Sequence, residues 1–267
     1  MLLNSIVLQI TSSCPHKCPQ CYMEKGNSNL SMESARKYIE WASLNGAKVV
    51  QLTGGEPLVY PYLTELLHCI SKYNMATFLA TSGYAHSYEA YNLLKKSGLS
   101  AICVSINDID EANNDRTRDA FVQSISAIDD AQEVGLTCFA NVVVSDSNIA
   151  RLKLMGEYLK AHGVYGVNIL RPVKSFDGKY RPDISRETIE SLKNIVEQEH
   201  RFYRVENCFQ EYWAREEKSF KCHDIGNKTV FVNVDGSVSP CSKMMRYKYR
   251  SLEQMLQKSS EWECGCL

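Results

Sequence analysis

Short apolar runs and longer segments of helical period alternate along the first 200 residues of the chain. Six apolar runs have the length and composition of buried strands, and they lie at residues 6–10, 48–52, 76–80, 101–106, 136–144 and 165–170. Apolar residues recur every three or four positions in the segments that follow, at residues 32–45, 63–70, 87–97, 121–135, 149–162 and 186–200. Strands that alternate with helices at this spacing predict parallel β-α-β units and an α/β fold.

The order of these elements also predicts where a functional site lies. Six units are fewer than the eight of a complete α/β barrel, so we do not expect a closed barrel. Right-handed crossovers place every loop that follows a strand at the same edge of the sheet. In α/β barrels the chemistry takes place at that edge. We therefore expect the functional residues in the loops at the ends of the strands.

The last third of the chain has a different character. Residues 171–185 are polar and rich in turn-forming residues, which predicts a loop. An Asp-Gly pair at 235–236 separates two short β-prone runs, 229–234 and 237–239, and this arrangement predicts a β-hairpin. A short helix is expected at 251–258. We therefore expect a small unit of hairpin and helix after the α/β part.

Length, composition and charge narrow the possibilities. The 267 residues, 44% of them hydrophobic, are enough for a large domain over residues 1–200 and a small one over 201–267. A net charge of −1 gives no basic field for nucleic acid or an anionic membrane. No run approaches the roughly 20 apolar residues of a membrane span, and the N-terminus lacks the features of a signal peptide. We expect a cytoplasmic protein.

Eleven cysteines are many for a chain of this length. The number is odd, and three cysteines lie within eight residues, so metal ligation in a reducing compartment explains them better than disulfides do. Cys69, Cys103 and Cys138 each stand alone in an apolar run. We interpret these three as small buried hydrophobic residues.

The clustered cysteines, Cys14, Cys18 and Cys21, follow the first predicted strand with a spacing of three and then two residues. Thiolates in such a cluster bind zinc or iron–sulfur clusters. A closed zinc site needs four ligands, and the only further candidate, His16, lies inside the same short loop. A [4Fe–4S] cluster held by three cysteines leaves one iron open, and the spacing fits this better. A structural zinc knuckle is the alternative.

The CxxxCxxC pattern, followed by the aromatic Tyr22, resembles the radical S-adenosylmethionine (SAM) enzymes. The segment Gly54-Gly55-Glu56-Pro57 after the second strand matches the GGEP segment of that family letter for letter. The resemblance implies an open, partial (β/α)6 barrel related to the TIM barrel. It also implies that Cys14, Cys18 and Cys21 hold the catalytic cluster, and that Tyr22 and the GGEP segment belong to the SAM site, with Glu56 near the amino group.

Weaker resemblances follow at the ends of later strands. Ser105 and Asn107 end the fourth strand, where the family places polar groups near the methionine or ribose part of SAM, and Ser82 lies in a loop that resembles the family's polar loop near the ligand. Asn141 interrupts the apolar run of the fifth strand, where a polar side chain needs a partner. Many family members have Asp near the position of Asn107. Arg171 is a candidate partner for a carboxylate of SAM or of the substrate. Each of these residues has a simpler explanation as a structural polar group with its own partners.

The late cysteines carry a second resemblance. Cys222 and Cys241 flank the predicted hairpin as in the SPASM and twitch auxiliary-cluster domains of radical SAM enzymes, and Cys264 and Cys266 follow the last helix. These four imply a second, auxiliary [4Fe–4S] cluster. The late pair is separated by one residue where two are usual, and Cys208 is an alternative ligand. A zinc ribbon is the other interpretation. Cys208 is also a candidate hydrogen-atom donor, as in some radical SAM epimerases.

These features together predict a radical SAM enzyme. The resemblance implies that it cleaves SAM to a 5′-deoxyadenosyl radical and abstracts a hydrogen atom, with flavodoxin or ferredoxin as electron donor. We expect a ribosomally made peptide as the substrate, to be crosslinked, oxidised or epimerised. A dehydrogenase or epimerase of a sugar or aminocyclitol is the second hypothesis. A non-catalytic metal-binding or electron-transfer protein is the third, although such a protein has no need of a SAM site.

Overall fold

The structure, a computed structural model, describes residues 3–180, 184–214, 228–258 and 262. The strands of this part are β1 (Ser5–Thr11), β2 (Val49–Gly54), β3 (Ala76–Thr81), β4 (Ala101–Ser105), β5 (Thr137–Val143), β6 (Gly166–Leu170), β7 (Tyr203–Val205), β8 (Thr229–Val232) and β9 (Val238–Ser239). The α-helices of this part are α1 (Met32–Leu44), α2 (Leu63–Ser71), α3 (Tyr88–Lys96), α4 (Glu111–Asp115), α5 (Phe121–Val134), α6 (Leu152–Ala161), α7 (Arg186–Gln198), α8 (Asn207–Ala214) and α9 (Leu252–Gln257).

All nine described strands form one sheet, in the order β7-β6-β5-β4-β3-β2-β1-β8-β9. Neighbouring strands run parallel except for β8 and β9, which form the predicted antiparallel hairpin. Among the described residues the edge strands β7 and β9 do not pair with each other, so the sheet is open. The predicted α/β class is confirmed, and an open parallel sheet agrees with a partial barrel. No helix in these ranges is long and apolar enough to cross a membrane.

One face of the sheet forms the hydrophobic core against the helices. A row of residues in register across the first five strands is fully buried, and it consists of Leu8, Leu52, Leu79, Ile102 and Cys138. Alternate residues of the same strands face the other way, because side chains alternate along a strand. This second face lines the concave side of the sheet. The helix-facing row therefore supplies the burial that holds the sheet together.

The isolated cysteines follow the prediction with one difference. Cys103 and Cys138 are buried, while Cys69 on α2 is half-buried and packs against the core. Burial raises the pKa of the Cys103 thiol to about 12 and raises that of Cys138 as well. These two thiols are therefore neutral near pH 7. Cys138 lies on the helix-facing side of the sheet, whereas Cys103 lies on the concave side.

Three elements that the sequence did not predict extend the fold. Strand β7 adds a seventh parallel strand beside β6, and helices α4 and α8 follow β4 and β7. Strand β7 has only three residues, too few for a periodic pattern. Strand β8 pairs with β1, so the sheet continues from the predicted barrel into the predicted C-terminal unit. The boundary near residue 200 stays a prediction.

Candidate active site

The loops after β1 and β2 are joined through their backbones. The amide of Gly55 donates to the carbonyl of Thr11 at 2.8 Å, and the amide of Glu56 donates to the carbonyl of Ser13 at 2.8 Å. A Cβ atom on Gly54 would lie 2.3 Å from the Thr11 carbonyl oxygen, and one on Gly55 would lie 2.1 Å from that of Ser13. Only glycine fits at these two positions. The two glycines therefore allow the loop after β2 to pack closely against the cysteine loop.

Glu56 organises the third loop of this edge. Its side chain is 1% exposed, and its carboxylate accepts hydrogen bonds from the Thr81 hydroxyl at 2.6 Å, the Ser82 amide at 2.8 Å and the Ser82 hydroxyl at 2.5 Å. The amide of Leu58 donates to it as well, at 3.1 Å. Such a buried carboxylate needs this many donors to replace its hydration. Glu56 thus joins the GGEP segment to the loop after β3.

A cavity of about 740 Å³ opens on the concave side of the sheet at this edge. It brings together twelve of the residues selected from the sequence, which are Cys14, Cys18, Cys21, Tyr22, Gly54, Gly55, Ser82, Ser105, Asn141, Arg171, Cys208 and Cys241. Its volume lies in the range of small-molecule and cofactor sites. The three clustered thiols and the inner face of the sheet therefore share one cavity.

Three of the selected residues do not line this cavity, and three more lie outside the described residues. Glu56 and Pro57 are buried and do not line the cavity, although their neighbours Gly54 and Gly55 do. Asn107 also lies away from it. Outside the described residues are three of the predicted auxiliary ligands, Cys222, Cys264 and Cys266.

Asn107 belongs to a buried network behind the end of β4. Its side chain is 3% exposed; its amide group donates to the Thr117 hydroxyl at 2.9 Å, and its oxygen accepts from the Val143 amide at 3.0 Å. Its backbone amide donates to Asn114 and its carbonyl accepts from Asn148, each at 2.9 Å. The structure thus gives this side chain partners within the protein. The SAM contact that the sequence suggested for it stays a prediction.

Tyr22 links the cysteine loop to the segment after β9. Its phenol forms a hydrogen bond with Ser242, and burial raises the pKa of Tyr22 to about 12. Cys241, Ser242 and Lys243 line the same side of the cavity. The Lys243 ammonium lies 3.2 Å from the Cys208 sulfur and pairs with the Glu206 carboxylate. The two described late cysteines, Cys208 and Cys241, therefore line the same cavity as the clustered ones.

Several charged and amide residues of the cavity were not among those selected from the sequence. Besides the selected Arg171, the described lining contains four more Lys or Arg residues and one carboxylate, which are Lys25, Arg118, Arg204, Lys243 and Glu206. Asn168 also lines it and donates to the Asn141 oxygen at 2.8 Å. Polar residues inside short apolar runs were the only signal for Asn168 and Arg204. The cavity is cationic although the chain as a whole is nearly neutral.

The cysteine loop has the donors that an iron–sulfur cluster needs. No three His, Cys, Asp or Glu side chains of the described ranges are arranged to hold a single metal ion. A [4Fe–4S] cluster makes a different demand, because each thiolate binds a different iron atom. In the same loop His16 Nε2 and Gln20 Nε2 are buried without a hydrogen-bond partner in the described part of the chain, so both can bond to a bound group. These residues fit a cluster and SAM.

Comparison with known proteins settles the family. The model of the Radical SAM superfamily matches residues 8–159, more than half of the chain. The chain belongs to the radical SAM superfamily. This membership implies a [4Fe–4S] cluster and SAM as cofactors, and it agrees with the cysteine loop at the end of β1.

Individual relatives are distant. The chain is 28% identical to the PqqA peptide cyclase of Gluconobacter oxydans (strain 621H) over 172 residues, which are 62% of this chain and 48% of that protein. It is also 28% identical to the GTP 3′,8-cyclase of Helicobacter pylori (strain HPAG1) over 156 residues, 55% of this chain and 48% of that one. The chain thus spans about half the length of these curated relatives, which are enzymes.

A solved structure with a similar fold extends over almost the whole chain. Streptococcus suis SuiB bound to the precursor peptide SuiA superposes with a TM-score of 0.78 at 17% identity, covering 96% of this chain and 64% of that one. At this identity the similarity concerns the fold alone. It includes the open parallel sheet that carries the candidate site.

Proposed function

We propose that this radical SAM protein is an enzyme that modifies a ribosomally synthesised peptide. The observation that carries the proposal is the single cavity, which connects the three clustered thiols with the polar inner face of the sheet. A cofactor bound at the thiols and a substrate resting on the sheet would face each other in it. When bound, the cluster and SAM would supply a 5′-deoxyadenosyl radical that abstracts a substrate hydrogen atom.

The protein's own residues hold and orient these groups. Cys14, Cys18 and Cys21 would bind three irons of the cluster, and the backbone around Gly54 and Gly55 would lie along SAM. Glu56 would act as a positioning residue, because its carboxylate holds the loop of Ser82 that lines the cavity. Because Glu56 does not line the cavity, this role is favoured over direct contact between its carboxylate and the SAM amino group.

A peptide substrate is supported by the names of the relatives. One is a peptide cyclase, and the SuiB structure contains a precursor peptide. The cavity reaches exposed positions of the sheet, Gln51 and Arg204, which an extended chain could contact. Crosslinking, oxidation and epimerisation are all consistent with hydrogen abstraction from a peptide. A small-molecule substrate would need no such extended access.

An auxiliary cluster remains part of the proposal. Cys241 follows the β8–β9 hairpin, the position that the twitch-type resemblance assigns to a cluster ligand. It would act with Cys222, Cys264 and Cys266, in a C-terminal unit over residues 201–267. Cys208 lines the same cavity as Cys241, so it is available as an alternative ligand or as the hydrogen-atom donor.

The test is turnover with candidate substrates. The anaerobically reconstituted enzyme would be given SAM, reduced flavodoxin and a short peptide encoded beside its gene, with GTP and sugar phosphates in parallel. We expect 5′-deoxyadenosine above the peptide-free level, together with loss of two hydrogen atoms from the peptide or deuterium uptake from solvent. Consumption of a small molecule with no change in any peptide would contradict the proposal.

A further inference from the structure

Four polar residues form a row across the inner face of the sheet. The strand pairing places Ser105 of β4 beside Asn141 of β5, Asn141 beside Asn168 of β6, and Asn168 beside Arg204 of β7. All four line the cavity. We call Ser105, Asn141, Asn168 and Arg204 the polar row. Residues in register on neighbouring parallel strands point to the same face, so the row is one continuous surface.

Arg204 is fixed at the end of this row by aromatic rings. Its guanidinium carbon lies 4.7 Å from the ring centre of Phe139 and 5.3 Å from that of Tyr165. Arg204 is exposed, and it forms no ion pair with any residue in the described ranges. Contact with the rings holds the guanidinium without using its N–H groups as hydrogen-bond donors. The charge is therefore held in place and available.

Arg204 and Arg171 lie at different depths. Asn168, the strand neighbour of Arg204, lies on β6 three residues before Arg171, which directly follows that strand. At about 3.3 Å per residue this places Arg204 roughly 10 Å farther from the loop edge. Arg171 is 4% exposed and lies at the edge that also carries the cysteine loop. The guanidinium of Arg171 is thus closer to the cofactor loops. The guanidinium of Arg204 lies on the side of the cavity that we assign to the substrate.

We propose that Arg204, assisted by the amides of Asn168 and Asn141, binds a carboxylate of the substrate, which makes the substrate an acidic peptide. The inference rests on the proposed function and names its substrate class. A guanidinium binds a carboxylate through two parallel hydrogen bonds. The buried Phe139, together with Cys103 and Ala101, forms an apolar layer beside the row and supports the guanidinium of Arg204. The excess of cations in the cavity attracts the same kind of group.

The binding test uses two small probes of the same shape. The enzyme would be reconstituted with iron and sulfide and saturated with SAM without reductant, so that the site for the SAM carboxylate is filled. N-acetyl-glutamate methylamide and its glutamine counterpart would then be titrated by NMR. We expect the glutamate probe to bind at least about tenfold more tightly, and Arg204→Gln to weaken it about tenfold to a hundredfold with no effect on the glutamine probe.

Two further variants separate charge from structure. Arg201→Gln removes an exposed arginine that does not line the cavity, and it should leave both affinities within about twofold. Arg204→Lys keeps the charge but loses the paired hydrogen bonds, so an intermediate affinity is expected. Equal binding of both probes, no binding of the glutamate probe, or an unchanged affinity in Arg204→Gln would overturn the inference.

The two proposals fail in different ways. Formation of 5′-deoxyadenosine with dithionite tests the enzyme class in the parent protein, and it should be unchanged in Arg201→Gln, because Arg201 does not line the cavity. Binding of the glutamate probe through Arg204 without modification of any peptide would support the carboxylate site and contradict the proposal of a peptide substrate. Modification of neutral and acidic peptides at equal rates would support the proposed peptide-modifying function and contradict the carboxylate site.

Discussion

The edge and the inner wall of the cavity are built in different ways. At the edge, the loops after β1, β2 and β3 are bonded through their backbones, through two glycines and through one buried carboxylate. The inner wall across β4 to β7 presents side chains in register, and most of their polar atoms have few partners in the described part of the chain.

The structure of the edge is therefore fixed by backbone contacts, whereas the chemistry of the inner wall depends on individual side chains. A change in any edge residue moves a neighbouring loop, so the edge suits cofactors that never vary. A change in the polar row alters one contact and leaves the strand in place, so the row suits the selection of a substrate. Variants of the edge should therefore disturb folding and cofactor content, and variants of the row should disturb affinity.

The largest effect is expected from Gly55→Ala. The new Cβ would lie 2.1 Å from the Ser13 carbonyl oxygen and 2.9 Å from Cys14 Cβ, so the backbone of the cysteine loop must move. We expect a loss of about 3 kcal/mol or more in the free energy of unfolding, and a lower iron content after reconstitution. Urea denaturation and iron analysis measure the two effects.

Gly26→Ala is the matched control for this variant. The nearest atom to its new Cβ is the Ser12 hydroxyl oxygen at 3.2 Å, so a far smaller shift accommodates it than at Gly55. Its effect should be smaller by at least about 1 kcal/mol. Equal losses of unfolding free energy in both variants would mean that the contact between the GGEP segment and the cysteine loop is no more sensitive to an added Cβ than the surroundings of Gly26.

A smaller effect is expected from Glu56→Gln. The amide keeps one acceptor oxygen but turns a donor group toward donors at Thr81 or Ser82. We expect a loss of about 1.5–3 kcal/mol in the free energy of unfolding and weaker SAM binding. Glu40→Gln, which changes an exposed glutamate of α1, serves as control and should be near neutral. If Glu56→Gln were as stable as the parent, the proposed role of Glu56 in holding the loops of the edge together would be contradicted.

The smallest effect is expected from Asp146→Asn, which tests how the start of α7 is anchored to the loop after β5. Desolvation alone would raise the pKa of Asp146, but hydrogen bonds from Ser185 and Thr188 outweigh it and hold the pKa below its usual value. The folded state therefore favours the ionised form, and this stabilisation is present above about pH 4 and disappears as the pH falls through the folded pKa.

We accordingly expect Asp146→Asn to be less stable than the parent by about 1 kcal/mol at pH 7 and equal to it in acid. Urea denaturation of the cluster-free protein at several pH values would show the two curves meeting below about pH 4. A stability difference that stays constant with pH would show that the charge of Asp146 has no part in the anchor.

Much of the edge could be predicted from the sequence, because each of its motifs is a short segment of neighbouring residues. The apolar runs predicted the first six strands, and the motifs after β1 and β2 predicted that their loops meet. The partners of Glu56 come from β3, some 25 residues later, and no local pattern reveals them. The GGEP segment was expected at the SAM site, and the structure adds that its two glycines pack most closely against the cysteine loop.

The inner wall could not be predicted in the same way. Asn141 was selected because it interrupts an apolar run, but Asn168 and Arg204 acquire their meaning only from the register of β5, β6 and β7. Strand β7 is too short to recognise from periodicity. Asn107 was chosen from its place after β4, and its buried partners on α4 and β5 became visible only in the fold.

The most direct test of the central claim is to load the protein with its cluster and follow SAM. Anaerobic reconstitution with iron and sulfide, followed by SAM and dithionite, should give about eight irons per chain and 5′-deoxyadenosine. Replacing Cys14, Cys18 and Cys21 by Ala should remove about four irons and all nucleoside, whereas Cys69→Ala should change neither. One bound zinc, or nucleoside formation that survives loss of the three clustered cysteines, would contradict the account.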